Sequence, residues 1–265
     1  MRLSEIDCLM IDVDGTIFRG DLLLPGANNF FKFLDERKIE YLIVTNNTKS
    51  AETYQERFAL QGIKLMREKF FTCTDSTKAY IMKNRAQINS VYIIGKRDLI
   101  AAVAETGVEI RKDATGYVDA VIVGGDFDLS FEKLKNAVLH LQKGSMLIGS
   151  NGDMLIPTEM GLVPEAGMTL AALTAAVPIQ PIMLGKPEKF FFELAASLVE
   201  NSVKHIAMLG DRLDTDIAGA NAVGFTSILI CTGVDNQASV ESKNIHPDYL
   251  VEDLMELMKI WDDEN

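Results

Sequence analysis

The stretch Leu9-Met10-Ile11-Asp12-Val13-Asp14-Gly15-Thr16 decides how the chain is read. The apolar run 8–11 has the pattern of a buried strand. It ends in two carboxylates two positions apart and then a glycine that lets the chain turn. In an open parallel sheet, ligands bind just beyond the carboxyl ends of the strands. Side chains at i and i+2 of an extended segment point the same way, so Asp12 and Asp14 can face one site. Two like charges that close cost free energy unless a proton or a cation lies between them. Mg²⁺, a hard ion that prefers oxygen ligands and keeps several waters, suits the pair. An EF-hand does not fit, because its glycine belongs at loop position 6 and Gly15 already follows Asp14. The competing reading is an ordinary turn, in which Asp and Gly are common.

Outward from this stretch, apolar runs alternate with helical periodicity. Further strands are expected at 41–44, 91–94, 120–123, 146–149, 206–209 and 227–230. Helices are expected at 27–37, 52–61, 74–83, 98–105, 130–141, 167–176, 189–198, 215–222 and 251–260. Short continuous β-branched runs separated by amphipathic helices predict an α/β fold, a Rossmann-like doubly wound parallel sheet covered on both faces.

Three more polar segments fall at strand ends. Thr45-Asn46-Asn47-Thr48 follows the strand at 41–44, where hydroxyls, amides and backbone N–H groups entering a helix can cradle a phosphate. Taken alone it reads better as a helix N-cap. Gly185-Lys186-Pro187 is not a phosphate-binding loop of the Walker type, since no Ser or Thr follows the lysine. Lys186 can still neutralise phosphate charge as a point cation. Gly210-Asp211-Arg212-Leu213-Asp214-Thr215-Asp216 puts three acids after the strand at 206–209, as helix caps or as part of a metal site. These segments lie near residues 12, 45, 186 and 211, with a long middle between the second and third. The arrangement predicts a core of 1–75 and 181–265 interrupted by an inserted α/β domain of 76–180.

Composition narrows the function. The 265 residues carry 26 Lys+Arg against 38 Asp+Glu, a net charge of −12, so nucleic acid and anionic membranes are poor partners. A phosphorylated substrate would need a local cation or metal. Three widely spaced cysteines (Cys8, Cys73, Cys231) make neither a disulfide framework nor a zinc site and fit a reducing cytoplasm. Charges at Arg2, Glu5 and Asp7 argue against a signal peptide. His140, His205 and His246 lack metal-ligand spacing, and Met154, Met160 and Met168 read as packing residues.

Singly ambiguous, the four segments in this order resemble the four motifs of the haloacid dehalogenase (HAD) superfamily of phosphohydrolases. The position of the insertion resembles that of a type 2 cap. Its Gly149-Ser150-Asn151-Gly152-Asp153 and Pro157–Gly167 stretches are similar to the NagD-like branch. One departure is Gly152, where many relatives have proline. The resemblance implies an Mg²⁺-dependent phosphatase acting on small-molecule phosphate esters through an aspartyl-phosphate. Asp12 would be the nucleophile and Asp14 the acid–base. The Asp12 and Asp211 carboxylates and the Asp14 backbone carbonyl would be metal ligands. Thr45, Asn46, Asn47 and Lys186 would hold the phosphoryl group, and Asp216 would orient Lys186 or a metal-bound water. Asn151 and Asp153 are the cap residues expected to meet substrate, and a homodimer through the cap follows by family analogy. The presence of Asp14 favours a phosphatase over a dehalogenase. A phosphoacceptor signalling module and a non-catalytic phosphometabolite-binding protein are the alternatives. Signalling receivers are about half this length and lack an inserted domain.

Overall fold

A computed structural model describes residues 1–158, 161–200 and 203–264. Met160 therefore lies outside the described residues. The chain divides into two compact units. One comprises Met1–Thr45, Ala51–Phe71 and Lys186–Asn265; the other comprises Asn46–Ser50 and Thr72–Gly185.

The first unit is built on a six-stranded sheet. Its order is Tyr249–Val251, Thr226–Ile230, Ile206–Gly210, Cys8–Ile11, Glu40–Thr45 and Phe70–Thr72. Cys8–Ile11 lies centrally and pairs in parallel on both sides, with Cys8 opposite Ile206 and Glu40. All four of its residues are buried, as a strand covered on both faces requires. Leu9 and Ile11 join a cluster with Phe30, Phe31, Tyr54, Phe58 and Trp261, which come from helices Ala27–Glu36, Ala51–Leu60 and Leu254–Asp263. Cys8, Met10 and Met208 point to the opposite face and are just as buried. Phe58 is the hub of the aromatic packing, with its ring centroid 5.0 Å from Phe18, 5.8 Å from Phe31 and 5.3 Å from Phe70.

The second unit holds a five-stranded sheet ordered Ile182–Met183, Met146–Gly149, Ala120–Val123, Ser90–Ile94 and Glu109–Arg111. Every pair in it is parallel. Helices Phe131–Gln142 and Ala166–Ala176 cover it with Ala137, Leu141, Leu170 and Leu173. An antiparallel hairpin, Leu155–Thr158 with Gly161–Pro164, stands outside this sheet.

The expected strands are present; the pattern misses helix Gln237–Lys243, the hairpin Leu155–Thr158 with Gly161–Pro164, and several of the shortest strands. Phe18–Arg19, Leu22–Leu23, Ile182–Met183 and Tyr249–Val251 have two or three residues each, too few to show a period. The last helix is corrected accordingly. Val251 closes the edge strand, and Leu254–Asp263 begins after Asp253, whose side chain accepts from Met255 N and Glu256 N.

Candidate active site

The first unit brings Asp12, Lys186, Asp211 and Asp216 together at the carboxyl end of its central strands. Asp12 follows Cys8–Ile11, and its N–H donates to the Leu209 carbonyl at 2.9 Å, continuing the parallel ladder. Asp211 follows Ile206–Gly210. Asp216 sits in a single π-helical turn, Leu213–Ile217, that leads into helix Ala218–Val223. The wide turn accepts both Asp216 N and Ile217 N at the Arg212 carbonyl, and it places Asp216 Oδ2 3.2 Å from Arg212 N.

The charges at this point do not balance. Lys186 Nζ donates to Asp12 Oδ1 at 2.5 Å and to Asp216 Oδ1 at 2.6 Å, and all three side chains are buried. The Asp12, Asp211 and Asp216 carboxylates each have an oxygen within 4.8 Å of the others. Three carboxylates that all ionised against one ammonium would leave two negative charges in a dry place. Burial pushes the Asp12 carboxyl well above its usual range, against the pull of Lys186, and the neighbouring Asp216 and Asp211 add to the rise. Burial, then the Asp216 charge, pushes Asp211 up to about 7. The Lys186 ammonium is raised, because its two carboxylates outweigh its burial.

The Asp211 carboxylate tests whether a divalent ion suits the site. Its Oδ2 accepts from Val234 N at 2.7 Å, while its Oδ1 is buried without a hydrogen-bond partner. A buried carboxylate oxygen left bare is expensive unless a cation meets it. Carboxylate oxygens are the donors that Mg²⁺ and Ca²⁺ prefer, so the residues fit such an ion. The surroundings also leave Asp211 little room to move. A Cβ on either Gly15 or Gly233 would overlap its carboxylate, and Gly15 has φ +99°.

The other expected residues fall into two groups. Thr45 ends its strand and is buried. The Asp14 side chain turns to Arg57, with Nη1 3.0 Å from Oδ1. Asn46, Asn47, Asn151 and Asp153 belong to the second unit. There Asn151 is buried, and its Nδ2 donates to the Asn46 carbonyl at 2.9 Å while its Oδ1 accepts from Asp153 N at 3.0 Å. Asn47 Oδ1 accepts from Lys49 N at 3.1 Å. The Gly124-Gly125-Asp126 loop is likewise engaged: Asp126 pairs with Lys133 at 2.6 Å, and a Cβ on Gly125 would overlap Glu165.

Sequence reasoning passed over Arg57, Val234 and Glu165. Arg57 reads as one more helix charge, and Val234 acts through its backbone. Glu165 is a buried carboxylate whose pKa is raised by burial against the opposing charge of Lys96. Nothing local marks any of the three.

Comparison with known proteins shows the family. A profile described as haloacid dehalogenase-like hydrolase matches residues 9–109, and a HAD-hydrolase-like profile matches 183–257. An acid sugar phosphatase of Staphylococcus saprophyticus is 32% identical over 97% of this chain and 98% of its own length. The chain belongs to the haloacid dehalogenase-like hydrolases. Within them it falls in the NagD-like branch, with a parallel-sheet core and an inserted α/β cap domain. A solved 4-nitrophenylphosphatase from Thermotoga maritima superposes with a TM-score of 0.88 at 29% identity, covering 97% of this chain and 98% of that one. A glycerol phosphate phosphatase from Mycobacterium tuberculosis, solved with magnesium, superposes with a TM-score of 0.88 at 31% identity, covering 97% of this chain and 78% of that one. Among the described residues, no helix is long and apolar enough to cross a membrane.

Proposed function

We propose that this chain, a phosphoric monoester hydrolase by family, removes phosphate from small-molecule esters in two displacements at Asp12. The observation that carries the reading is the Asp12–Lys186–Asp216 triad beside the bare Asp211 oxygen, a buried site in which three acids share one ammonium.

In the first displacement an Asp12 carboxylate oxygen attacks phosphorus. The bond from phosphorus to the ester oxygen breaks, and that oxygen keeps the electron pair and takes a proton from the Asp14 carboxyl. The product is an aspartyl-phosphate and a free alcohol. In the second, water attacks phosphorus, its proton goes to Asp14, and the bond to Asp12 breaks to release inorganic phosphate. Lys186 and Thr45, with Asn46 and Asn47 next to it in sequence, hold the phosphoryl oxygens, and Asp216 holds Lys186. Asp12, Asp211 and the Asp14 carbonyl hold Mg²⁺. When bound, that ion offsets the charge that otherwise keeps a carboxylate from a phosphate dianion.

We assign the choice of leaving group to the domain of 76–180, with Asn151 and Asp153 as candidate contacts. Relatives named as acid sugar, 4-nitrophenyl and glycerol phosphate phosphatases support a small phosphomonoester as substrate.

The test is hydrolysis of 4-nitrophenyl phosphate and of a panel of sugar and glycerol phosphates. Each is assayed with Mg²⁺, with EDTA and in Asp12→Asn. Metal-dependent turnover that disappears in Asp12→Asn is expected. Turnover unchanged in Asp12→Asn would overturn the mechanism, and absence of turnover on every ester would overturn the function.

A further inference from the structure

Arg57 stands on helix Ala51–Leu60, far in sequence from the Asp12 motif, yet its guanidinium is built into that motif's surroundings. Its Nη1 donates to Asp14 Oδ1 at 3.0 Å, and its Nη2 donates to the Gly20 carbonyl. Gly20 lies in the turn between Phe18–Arg19 and Leu22–Leu23, the hairpin that directly follows the motif. The guanidinium carbon stands 4.2 Å from the Phe18 ring centroid and 5.9 Å from that of Tyr54. The Arg57 side chain is 16% exposed and that of Asp14 32%.

This is more organisation than a surface ion pair needs. Exposed pairs contribute little and hold no fixed geometry. Here a planar fork is stacked on an aromatic face and divided between two acceptors, an arrangement a lysine cannot reproduce. Asp14 also needs outside support. It lies beyond the end of strand Cys8–Ile11, where a single β-bridge to Phe18 holds its backbone and the next residue, Gly15, has φ +99°, so its side chain is not part of a continuous strand.

We propose that Arg57 is a positioning residue for the reaction. It aims the Asp14 carboxyl at the leaving-group oxygen and ties that aim to the Phe18–Leu23 hairpin through the Gly20 carbonyl. The proposal rests on the reading of Asp14 as the group that protonates the leaving oxygen. Arg57 does not touch substrate and acts through Asp14.

Leaving-group dependence separates this role from a structural one. A nitrophenolate departs with little help, whereas an alkoxide needs its proton from Asp14. The experiment measures kcat/KM, which covers the first displacement, on 4-nitrophenyl phosphate and on glycerol phosphate or the best alkyl phosphate found. It compares the wild type with Arg57→Met, Arg57→Lys, Asp14→Asn and the Arg57→Met/Asp14→Asn double variant.

The expected result is a loss of about 10-fold or more on the alkyl ester with a much smaller loss on the aryl ester in Arg57→Met. Arg57→Lys should recover part of the alkyl activity. In the Asp14→Asn background, Arg57→Met should add no further discrimination between the esters. Equal losses on both esters, with the melting temperature lowered, would mean that Arg57 only supports the fold and would overturn the proposal. Full activity of Arg57→Met on the alkyl ester would overturn it as well. Asp12→Asn, run alongside, keeps the two readings apart: if it still turns over, the mechanism fails, whatever Arg57 does.

Discussion

Lys186 Nζ lies 2.5 Å from Asp12 Oδ1, and neither side chain has appreciable access to water. The same ammonium reaches Asp216 at 2.6 Å, so one cation holds together two buried acids that arrive from different strand ends. Taking one partner from a buried ion pair leaves an uncompensated charge, which costs more than the pair is worth when intact.

Replacing this lysine, Lys186→Met, should therefore destabilise the metal-free protein by about 3–5 kcal/mol. It should also lower turnover by about 100-fold or more. Urea denaturation in EDTA and steady-state kinetics with Mg²⁺ check the two halves separately. An unchanged denaturation midpoint would mean that Asp12 and Asp216 find another partner.

Asp211 makes stability depend on pH with a defined sign. Its folded-state pKa is about 7, against about 3.9 for an unfolded aspartate. Between these values the folded state binds more protons than the unfolded one, so stability falls as pH rises through this window and levels off above it. In EDTA, the melting temperature of the wild type should fall relative to that of Asp211→Asn from about pH 4 to about pH 7. Mg²⁺ replaces the proton, so its addition should stabilise the wild type more at about pH 8 than at about pH 5. A parallel course of the two melting curves would contradict the raised pKa.

The tight seat of Asp211 can be tested at Gly233. Any Cβ there overlaps the carboxylate, and Gly233 has no positive φ to add backbone strain. Gly233→Ala should displace Asp211 and weaken Mg²⁺ binding by about 10–100-fold. Isothermal titration with Mg²⁺ reads this directly, with no substrate present.

Phe58 joins the core cluster of the first unit. It is fully buried and packs edge-to-face with Phe18, over whose ring the Arg57 guanidinium also stands. Phe58→Ala should cost about 3–5 kcal/mol through lost burial and the cavity left behind. Denaturant unfolding measures it, and a cost under about 1 kcal/mol would mean that the helix collapses into the space.

The strand-end motifs were legible because each is local. An apolar run covered on both faces, followed at once by acids and a glycine, shows itself within eight residues at Asp12. The runs ending at Thr45 and Gly210 repeat that logic. The hairpin Phe18–Leu23 and the edge strand ending at Val251 were not legible, because strands of two or three residues have no period to read.

The sequence by itself determined the α/β class, the order of the polar strand ends and the residue types available at each. Parallel strands that bury both faces need continuous apolar runs, and such runs are written along the chain. Only the tertiary structure decided which charges meet. Lys186 reaches back 174 residues to Asp12, Val234 N–H reaches Asp211, and Arg57 reaches Asp14 across 43 residues. These pairings depend on the order of strands in the sheet and on where each helix lies against it. Electrostatic energy in a buried site is set by distance through space and by exclusion of water, and neither is carried by spacing along the chain.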